Sequence, residues 1–523
     1  MFQRASIPLR HPVATASPWL QAPLPRFPAV GQDMETDVVV VGAGITGVTT
    51  AWMLRQLGHR VVLLERTRVG HADTGHTTAH LTHVTDARLH QLVRRFGDDG
   101  ARALWKAGAA AIDQIATIVQ QTGVDCGFRR LPGYLHAPLR ADPRASEARR
   151  AIDHLQEDAA LALRFGFDAR FVERVPRLDV PGICFHDQAA FDPGRYLAAL
   201  LRQIPGGDCH VFEQTILDHI EDQPRRVVLA SGHQIRCNYV VIATHNPLSG
   251  SLGAVRAGLF QSRLSLYTSY VLGAVLPRQT LPDALFWDTA DPYDYLRIEQ
   301  RADHQFAIFG GADAKTGQEN DEHAFEELEQ RLLERLPEAR VTQRWLGQVI
   351  ETDDGLPYIG EHAPGEFIAT GFAGNGFTFG TLAASMACDA FLDRANPWAN
   401  LLRVDRKPFH GGITRYLREN LDYPWYMVRD RFDRARRLAL QDVPVGEGRI
   451  VVLDGARCAA YRHEDGHLDI CSATCTHLKC LVHWNGADRS WDCPCHGSRF
   501  SPSGAVLAGP AEKPLPRIDP RMT

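Results

Sequence analysis

No stretch of this 523-residue sequence has the roughly eighteen consecutive apolar residues that a spanning helix needs, so none crosses a bilayer as a helix. The N-terminal run MFQRASIPLRHPVATAS has Arg without acids but no apolar core, which argues against a secretory signal and leaves a transit peptide as the alternative. Charge of one sign is also missing. The 57 basic residues, almost all Arg, face 62 acidic ones, and a net charge of −5 gives no argument for nucleic acid or an anionic membrane as partner. Hydrophobic residues make up 44% and charged ones 23%, as in soluble globular chains of about three domains. Cysteine pairs are scarce: Cys126, Cys184, Cys209, Cys237, Cys388 and Cys458 stand alone, and Cys471 matches no pattern. They fit reduced, inert thiols in the cytoplasm. Two further absences narrow the chemistry. No second G-x-G-x-x-G follows a strand, against an enzyme that binds two dinucleotides. No spare His and carboxylates form a 2-His-1-carboxylate iron site, against an iron oxygenase.

The most specific stretch is the 22-residue run CTHLKCLVHWNGADRSWDCPCH, Cys475 to His496. Cys475, His477, Cys493 and His496 supply two thiolates and two imidazoles, the set that holds a [2Fe-2S] cluster with Cys on one iron and His on the other. A zinc site is the alternative for the same residues. CTHLKC with CPCHGS resembles the cytochrome bc-type Rieske branch. That resemblance implies a Cys480–Cys495 bridge pinning the two ligand loops, and a hydrogen bond from Ser498 to a bridging sulfide. Phe500 stands where the branch has a Tyr bonding a ligand sulfur, which implies a potential short of the top of the Rieske range of about −150 to +300 mV. Gly509 and Pro510 resemble the loop that shields the cluster. His477 and His496 are expected at the solvent face, handing electrons to a partner.

Upstream, DVVVVGAGITGVTTAWMLRQLGHRVVLLER reads as a buried strand (Asp37 to Val41), a glycine turn, a helix from about Thr46 to Leu57 and a second strand (Arg60 to Leu64). Gly42 makes the turn, Gly44 lets backbone approach a pyrophosphate, and Gly47 lets helix pack on strand, with Ala43 and Thr46 at the helix start. Glu65, 18 residues after Gly47, is placed for a ribose hydroxyl pair, with Arg66 beside it. The continuation ERTRVGHADTGHTTAHLTH resembles the D-amino-acid oxidase, glycine oxidase and sarcosine oxidase superfamily, where a TG-x-T/N-x-A run wraps FAD. This implies Thr74, Gly75, His76, Thr77, Thr78 and Ala79 as cofactor contacts. His76 either carries the flavin covalently or packs beside it, whereas His80 and His83 read as satisfied structural residues.

WLGQVIETDDGLPYIGEHAPGEFIATGFAGNGFTFGTLAASMACDAFL resembles the closing motif of the same superfamily. Its strand Phe367 to Thr370 leads through Gly371, Gly374, Asn375, Gly376, Phe377 and Thr378 into a helix. The N-terminal dipole of that helix would favour negative charge on a reduced flavin. Between the two motifs, helical patterns at about 87–122 and 144–165, with Gly97 and Gly123 as ends, precede alternating strands at about 262–312. By resemblance these strands roof the flavin, with Arg297 as a substrate-carboxylate ligand and Tyr270 and Tyr295 in the same cavity.

The expected fold class is an α/β FAD-binding domain (Rossmann-like, glutathione-reductase type) interleaved with an α+β substrate domain, plus a small all-β Rieske domain. The expected boundaries are a proline-rich extension at 1–36 anchored by Trp19, the oxidoreductase at 37–395, a linker with a helical strap at 396–442, and the Rieske domain at 443–523. FAD-binding segments fall at about 37–85, 210–250 and 351–395. The expected function is a dehydrogenase that oxidises a small amine or amino acid and passes electrons singly from FAD to the cluster and on to a protein or quinone. The alternatives are a non-catalytic electron-transfer or redox-sensing module and an NAD(P)H-driven reductase.

Overall fold

The structure, a computed structural model, describes residues 17–21, 23–139, 146–246, 263–318, 323–406 and 439–519. The run Val38–Val41 is apolar at every position because both faces of its sheet are covered. Val38 and Val40 pack toward helix Ile45–Gln56, while Val39 and Val41 join Val227, Leu229 and Ile235 of a smaller four-stranded sheet on the other side. The six-stranded sheet runs Tyr358–Ala363, Glu366–Thr370, Tyr239–Ile242, Val38–Val41, Val61–Leu64, His210–Phe212, with only the first pair antiparallel. Segments from three distant parts of the chain thus build one dinucleotide-binding sheet.

The excursions between them form a nine-stranded sheet. Its strands Leu264–Leu276, Gln305–Lys315 and Arg340–Thr352 lie side by side, and Tyr295–Gln300, Leu285–Asp288, Arg129–His136 and Gly182–Ala190 continue it. All its pairs are antiparallel except Leu285–Asp288 on Arg129–His136. Helix Leu89–Thr122 is capped by Gly123 in the left-handed region (φ 65). Gly97, expected as an end, instead breaks that helix internally (φ 70, ψ 174), as a residue without Cβ can. Asp192 caps helix Pro193–Gln203 by accepting from Arg195 N at 3.0 Å. Leu328 and Leu332 of helix Ala324–Arg335 are fully buried, as their spacing requires.

Trp19 is buried and donates its indole N–H to the Thr77 carbonyl at 2.7 Å, so the described end of the N-terminal extension is tied to the cofactor-wrapping run. The all-β C-terminal unit has a three-stranded sheet, Gly448–Leu453, Ala456–Arg462 and Leu468–Ser472. A four-stranded one follows, His483–Asn485, Ser490–Asp492, Arg499–Phe500 and Val506–Ala508. The expected strap helix falls in 407–438, outside the described residues. Among the described residues no helix is long and apolar enough to cross a membrane.

Candidate active site and iron-sulfur centre

A cavity of about 310 Å³ runs from the glycine turn to the nine-stranded sheet. Gly42, Ala43, Gly44, Thr46, Glu65 and Arg66 line one end, and Thr74, His76, Thr77 and Thr78 continue the wall. The cradle fits a dinucleotide. A Cβ on Gly42 would lie 2.6 Å from the Ala243 carbonyl oxygen and one on Gly44 2.9 Å from Thr74 Oγ1, so only glycine lets the turn close this tightly. Gly44 leaves the helix start without a side-chain cap, with its N–H groups and positive dipole toward the cavity. Glu65 is fixed by Ala43 N at 3.0 Å and Thr67 N at 2.8 Å, a carboxylate held ready for hydroxyl donors. From the closing motif, Gly374, Asn375, Gly376 and Phe377 also line the cavity. Asn375 donates to the Thr82 and Val84 carbonyls, and its buried Oδ1 has no hydrogen-bond partner, an acceptor left over for a bound group.

Gly47, Gly75, Ala79, Gly371 and Thr378 stand behind the wall instead. A Cβ on Gly47 would sit 1.8 Å from the Gly42 carbonyl oxygen, so this glycine serves the packing of helix on strand. Thr378 Oγ1 donates to the Thr82 carbonyl. His76 lines the cavity and faces the Ala72 carbonyl through Nδ1 at 3.0 Å. His80, read from sequence as a satisfied residue, lines the cavity with its ring held by Thr78 Oγ1 at 3.1 Å and the Leu296 backbone. Burial, reinforced by Arg297, pushes its pKa down to about 3, so the ring is neutral.

Two substrate expectations need correction. Arg297 does not line the cavity. It is fully buried, donating to the carbonyls of Thr78, Ala79 and Phe191 and to Glu299, with its guanidinium 5.2 Å from the Trp19 ring. A fork with its donors so committed holds the cofactor-wrapping run and cannot take a substrate carboxylate. Tyr270 is likewise sealed, edge-on to Phe325 at 5.1 Å. Tyr295 does reach the cavity. We therefore expect an Arg297→Met variant to lose roughly 3 kcal/mol or more of stability, because three carbonyls and a carboxylate lose their donor. Denaturant unfolding measures this, and KM should shift equally for substrates with and without a carboxylate.

The cavity is lined instead by acids that no local motif signals. Asp86 accepts from Tyr293 OH at 3.0 Å and Gly374 N at 2.8 Å, and Asp313 accepts from Ser269 Oγ, which also meets Tyr295 OH at 2.6 Å. Burial, with help from Glu351, Asp86 and Asp294, lifts the Asp313 carboxyl to about 7. The available signal was an acid in the otherwise apolar strand text HQFAIFGGAD.

In the C-terminal unit, the Cys475 and Cys493 thiols are buried within hydrogen-bonding reach of each other, and the His477 and His496 rings lie 5.0 Å apart at 89°. His477 Nδ1 is buried without a hydrogen-bond partner. Two soft and two imidazole donors converging this way fit the asymmetric [2Fe-2S] ligand set. Cys480 and Cys495 form the expected disulfide, and Ser498 Oγ, which accepts from Ala511 N at 3.0 Å, lies within hydrogen-bonding reach of the Cys475 sulfur. The imidazoles of His477 and His496 are partly exposed, and the ligand loops also sit on the flavin unit. Gln348 Nε2 donates to the Gly497 carbonyl at 2.8 Å and Gln318 Nε2 to that of Pro494 at 2.9 Å. Neither backbone leaves room for a side chain: a Cβ on Gly317 would lie 2.9 Å from Cys493 C, and one on Gly497 2.7 Å from Leu266 Cβ. Gly509, Pro510 and Ala511 of the shielding loop line the flavin-side cavity.

A dinucleotide cradle packed against a two-thiolate, two-imidazole centre places this molecule among redox flavoenzymes with a built-in one-electron carrier. Residues 37–390 match the family model FAD dependent oxidoreductase, and residues 436–519 match the Rieske [2Fe-2S] domain. The chain belongs to the FAD-dependent oxidoreductase family and carries a Rieske domain behind it; its cofactors are FAD and a [2Fe-2S] cluster. It is 32% identical over 506 residues to the Rieske 2Fe-2S iron-sulfur protein YhfW of Bacillus subtilis, covering 95% of this chain and 96% of that one. Over 429 residues it is 24% identical to gamma-glutamylputrescine oxidoreductase of Escherichia coli, covering 77% of this chain and 95% of the relative. Glycine oxidase from Geobacillus kaustophilus shares the fold, with a TM-score of 0.56 at 19% identity, covering 71% of this chain and 99% of that one.

Proposed function

We propose that this enzyme is a dehydrogenase that oxidises a small amine or amino acid at FAD and passes electrons singly to the Rieske cluster, then to an external protein or quinone. The observation that carries this reading is Gln348: its backbone N–H donates to cavity-lining Asp73 at 3.2 Å while its side chain holds the carbonyl next to ligand His496. One residue thus connects the cavity wall to a cluster-ligand loop. The relationship to gamma-glutamylputrescine oxidoreductase supports amine oxidation as the chemistry.

FAD when bound supplies hydride acceptance, and the cluster supplies one-electron carriage. Gly42, Gly44 and the N-terminus of helix Ile45–Gln56 would hold the pyrophosphate, Glu65 the ribose, and Thr74, His76, Thr77 and Thr78 the ring side. The N-terminus of helix Gly376–Phe391 adds positive potential where charge accumulates on reduction. The Gly509–Ala511 loop lines the cavity, and its Ala511 N–H donates at 3.0 Å to Ser498 Oγ, within reach of the Cys475 sulfur. A cytoplasmic setting accommodates the Cys480–Cys495 bridge because both sulfurs are buried.

The test is anaerobic mixing of the holoenzyme with amines, N-methyl amino acids, amino acids and NAD(P)H, following flavin absorbance and the reduced-cluster EPR signal. Bleaching by an amine or amino acid followed by a rising cluster signal is the expected result. Bleaching by NAD(P)H or a partner protein alone overturns it in favour of an electron conduit.

A further inference from the structure

Among the described residues, the chamber beside the dinucleotide cradle offers acceptors and aromatic faces and no cationic fork of the kind a carboxylate substrate needs. Asp313 lines it from strand Gln305–Lys315; Ser269 occupies its Oδ1, and no arginine or lysine pairs with it among the described residues. The charged groups that act on it are themselves acidic: Glu351 on strand Arg340–Thr352, Asp86 after the cofactor-wrapping run, and Asp294 beside strand Tyr295–Gln300. Asp294 is paired with Arg331 and Arg335, so those cations are already engaged. Trp287, Tyr293 and Tyr295 line the same chamber, and both tyrosines are held protonated by burial.

One observation independent of the acids points to a ligand with a donor. Asn375, 3% exposed, presents a buried Oδ1 with no partner, next to Gly374, whose N–H serves Asp86. The basic groups of the cavity lie elsewhere. Arg66 sits beside Glu65 and reaches the Leu507 carbonyl, and His245 pairs with Asp73 at 2.8 Å. An α-amino acid carboxylate entering this chamber meets like charge, whereas an ammonium meets carboxylate and aromatic faces.

We propose that the chamber takes an alkylamine in its ammonium form with no carboxylate beside the oxidised carbon, and that Asp313 anchors it and accepts one ammonium proton. This rests on the dehydrogenase reading and narrows its substrate. The proton moves from nitrogen to an Asp313 oxygen, leaving a neutral amine. The adjacent C–H bond breaks with its electron pair leaving as hydride to FAD, the nitrogen lone pair forms the C=N bond, and the product departs as an iminium for hydrolysis by water.

The carboxylate form of Asp313 is the competent one. With its ordinary pKa raised to about 7, kcat/KM should rise with pH through that region and fall again as the free amine loses its own proton. Asp86, Asp294 and Glu351 hold the acidic limb high, and protonated Tyr293 and Tyr295 do not titrate across it.

The experiment presents the holoenzyme with matched pairs, glycine and methylamine, ornithine and 1,4-diaminobutane, and reads anaerobic flavin bleaching and the flavin spectral shift on binding. Each amine should outperform its amino acid by about tenfold or more, since like-charge juxtaposition costs several kcal/mol. Asp313→Asn should retain FAD, bleach about 100-fold more slowly and lose the acidic limb, and Asp313→Glu should restore part of both. Amino acids favoured over their amines, or an unaltered Asp313→Asn variant, overturn the inference and leave the dehydrogenase reading standing. Reduction by NAD(P)H alone overturns both. The matched pairs on the unmodified enzyme decide the matter even if Asp313→Asn fails to fold.

Discussion

A Cys493→Ser variant reduces its flavin with substrate and then stalls. Iron and acid-labile sulfide disappear and the reduced-cluster EPR signal is lost, while FAD stays stoichiometric and anaerobic bleaching proceeds near the normal rate. Turnover with a one-electron acceptor falls at least about 100-fold, because even residues that merely orient a ligand typically govern metal affinity by about 10–100-fold, and Cys493 is assigned to the ligand set itself in the proposed function. The separation of effects follows from the architecture. Cys493 sits in a turn closed on itself, its N–H donating to the Ser498 carbonyl at 2.8 Å and its carbonyl accepting from Gly497 N at 2.9 Å. The cradle residues Gly42, Gly44 and Glu65 belong to a different sheet with its own core. A variant that loses FAD together with iron would mean that the two units fold as one. Bleaching that vanishes with the cluster would mean that substrate does not deliver electrons to the flavin first.

The docking gives that experiment its interest. Gly317 faces the Cys493–Pro494 peptide and Gly497 faces Leu266, each at a distance no side chain tolerates. So close a fit holds the ligand loops against the flavin unit, as the proposed transfer of electrons from flavin to cluster requires. Under the proposed function, an exit to an acceptor would start from the exposed side of the ligand loops, where Leu478 is 48% exposed.

What the sequence made legible, and what it did not, divides along a physical line. The glycine turn, the closing motif and the paired ligand loops were readable because backbone geometry and metal chemistry each demand particular residues at particular spacings. Gly42, Gly44 and Gly47 cannot be replaced without a clash, and two Cys with two His are a donor set in themselves. The substrate chamber was misread for the converse reason. Arg297 looked like a carboxylate ligand because a strand arginine in the middle domain has that role in the resembled superfamily. Whether such an arginine points into the cavity or into the carbonyls of Thr78, Ala79 and Phe191 depends on packing between segments more than a hundred residues apart. Asp86 converges with Tyr293 and Asp313 from a segment some two hundred residues away, and the three carry no local signature. The seating of the ligand loops on the flavin unit was not readable because docking between units leaves no trace in either unit's motif.

Arg406→Met should cost about 3–5 kcal/mol of stability, the penalty for stranding a buried carboxylate. Arg406 is 6% exposed and lies over the Tyr358 ring at 3.7 Å. Its Nε and Nη2 donate to the two oxygens of Asp354 at 2.7 and 2.8 Å, and Nη1 donates to the Pro357 carbonyl at 2.8 Å. These bonds tie the segment after the flavin helix back onto the approach to the closing motif, Asp354 to Gly360. Burial alone would raise the Asp354 carboxyl, but the two bonds from Arg406 outweigh it and hold its pKa below the ordinary value. The sign of the pH dependence follows. A depressed carboxyl contributes its full stability above the unfolded pKa of about 3.9 and loses it as pH falls through the lower folded value. In the variant the same carboxyl, buried and unpaired, is raised and gains stability on protonation. The gap between the two proteins should therefore be widest near neutrality and narrow steadily in acid. Arg406→Met with Asp354→Asn should recover part of the loss at pH 7, since no charge is then left buried. A gap that stays constant from pH 7 to the acid limit of folding would mean that Arg406 acts through its packing on Tyr358 and its carbonyl partners, with the ion pair contributing nothing.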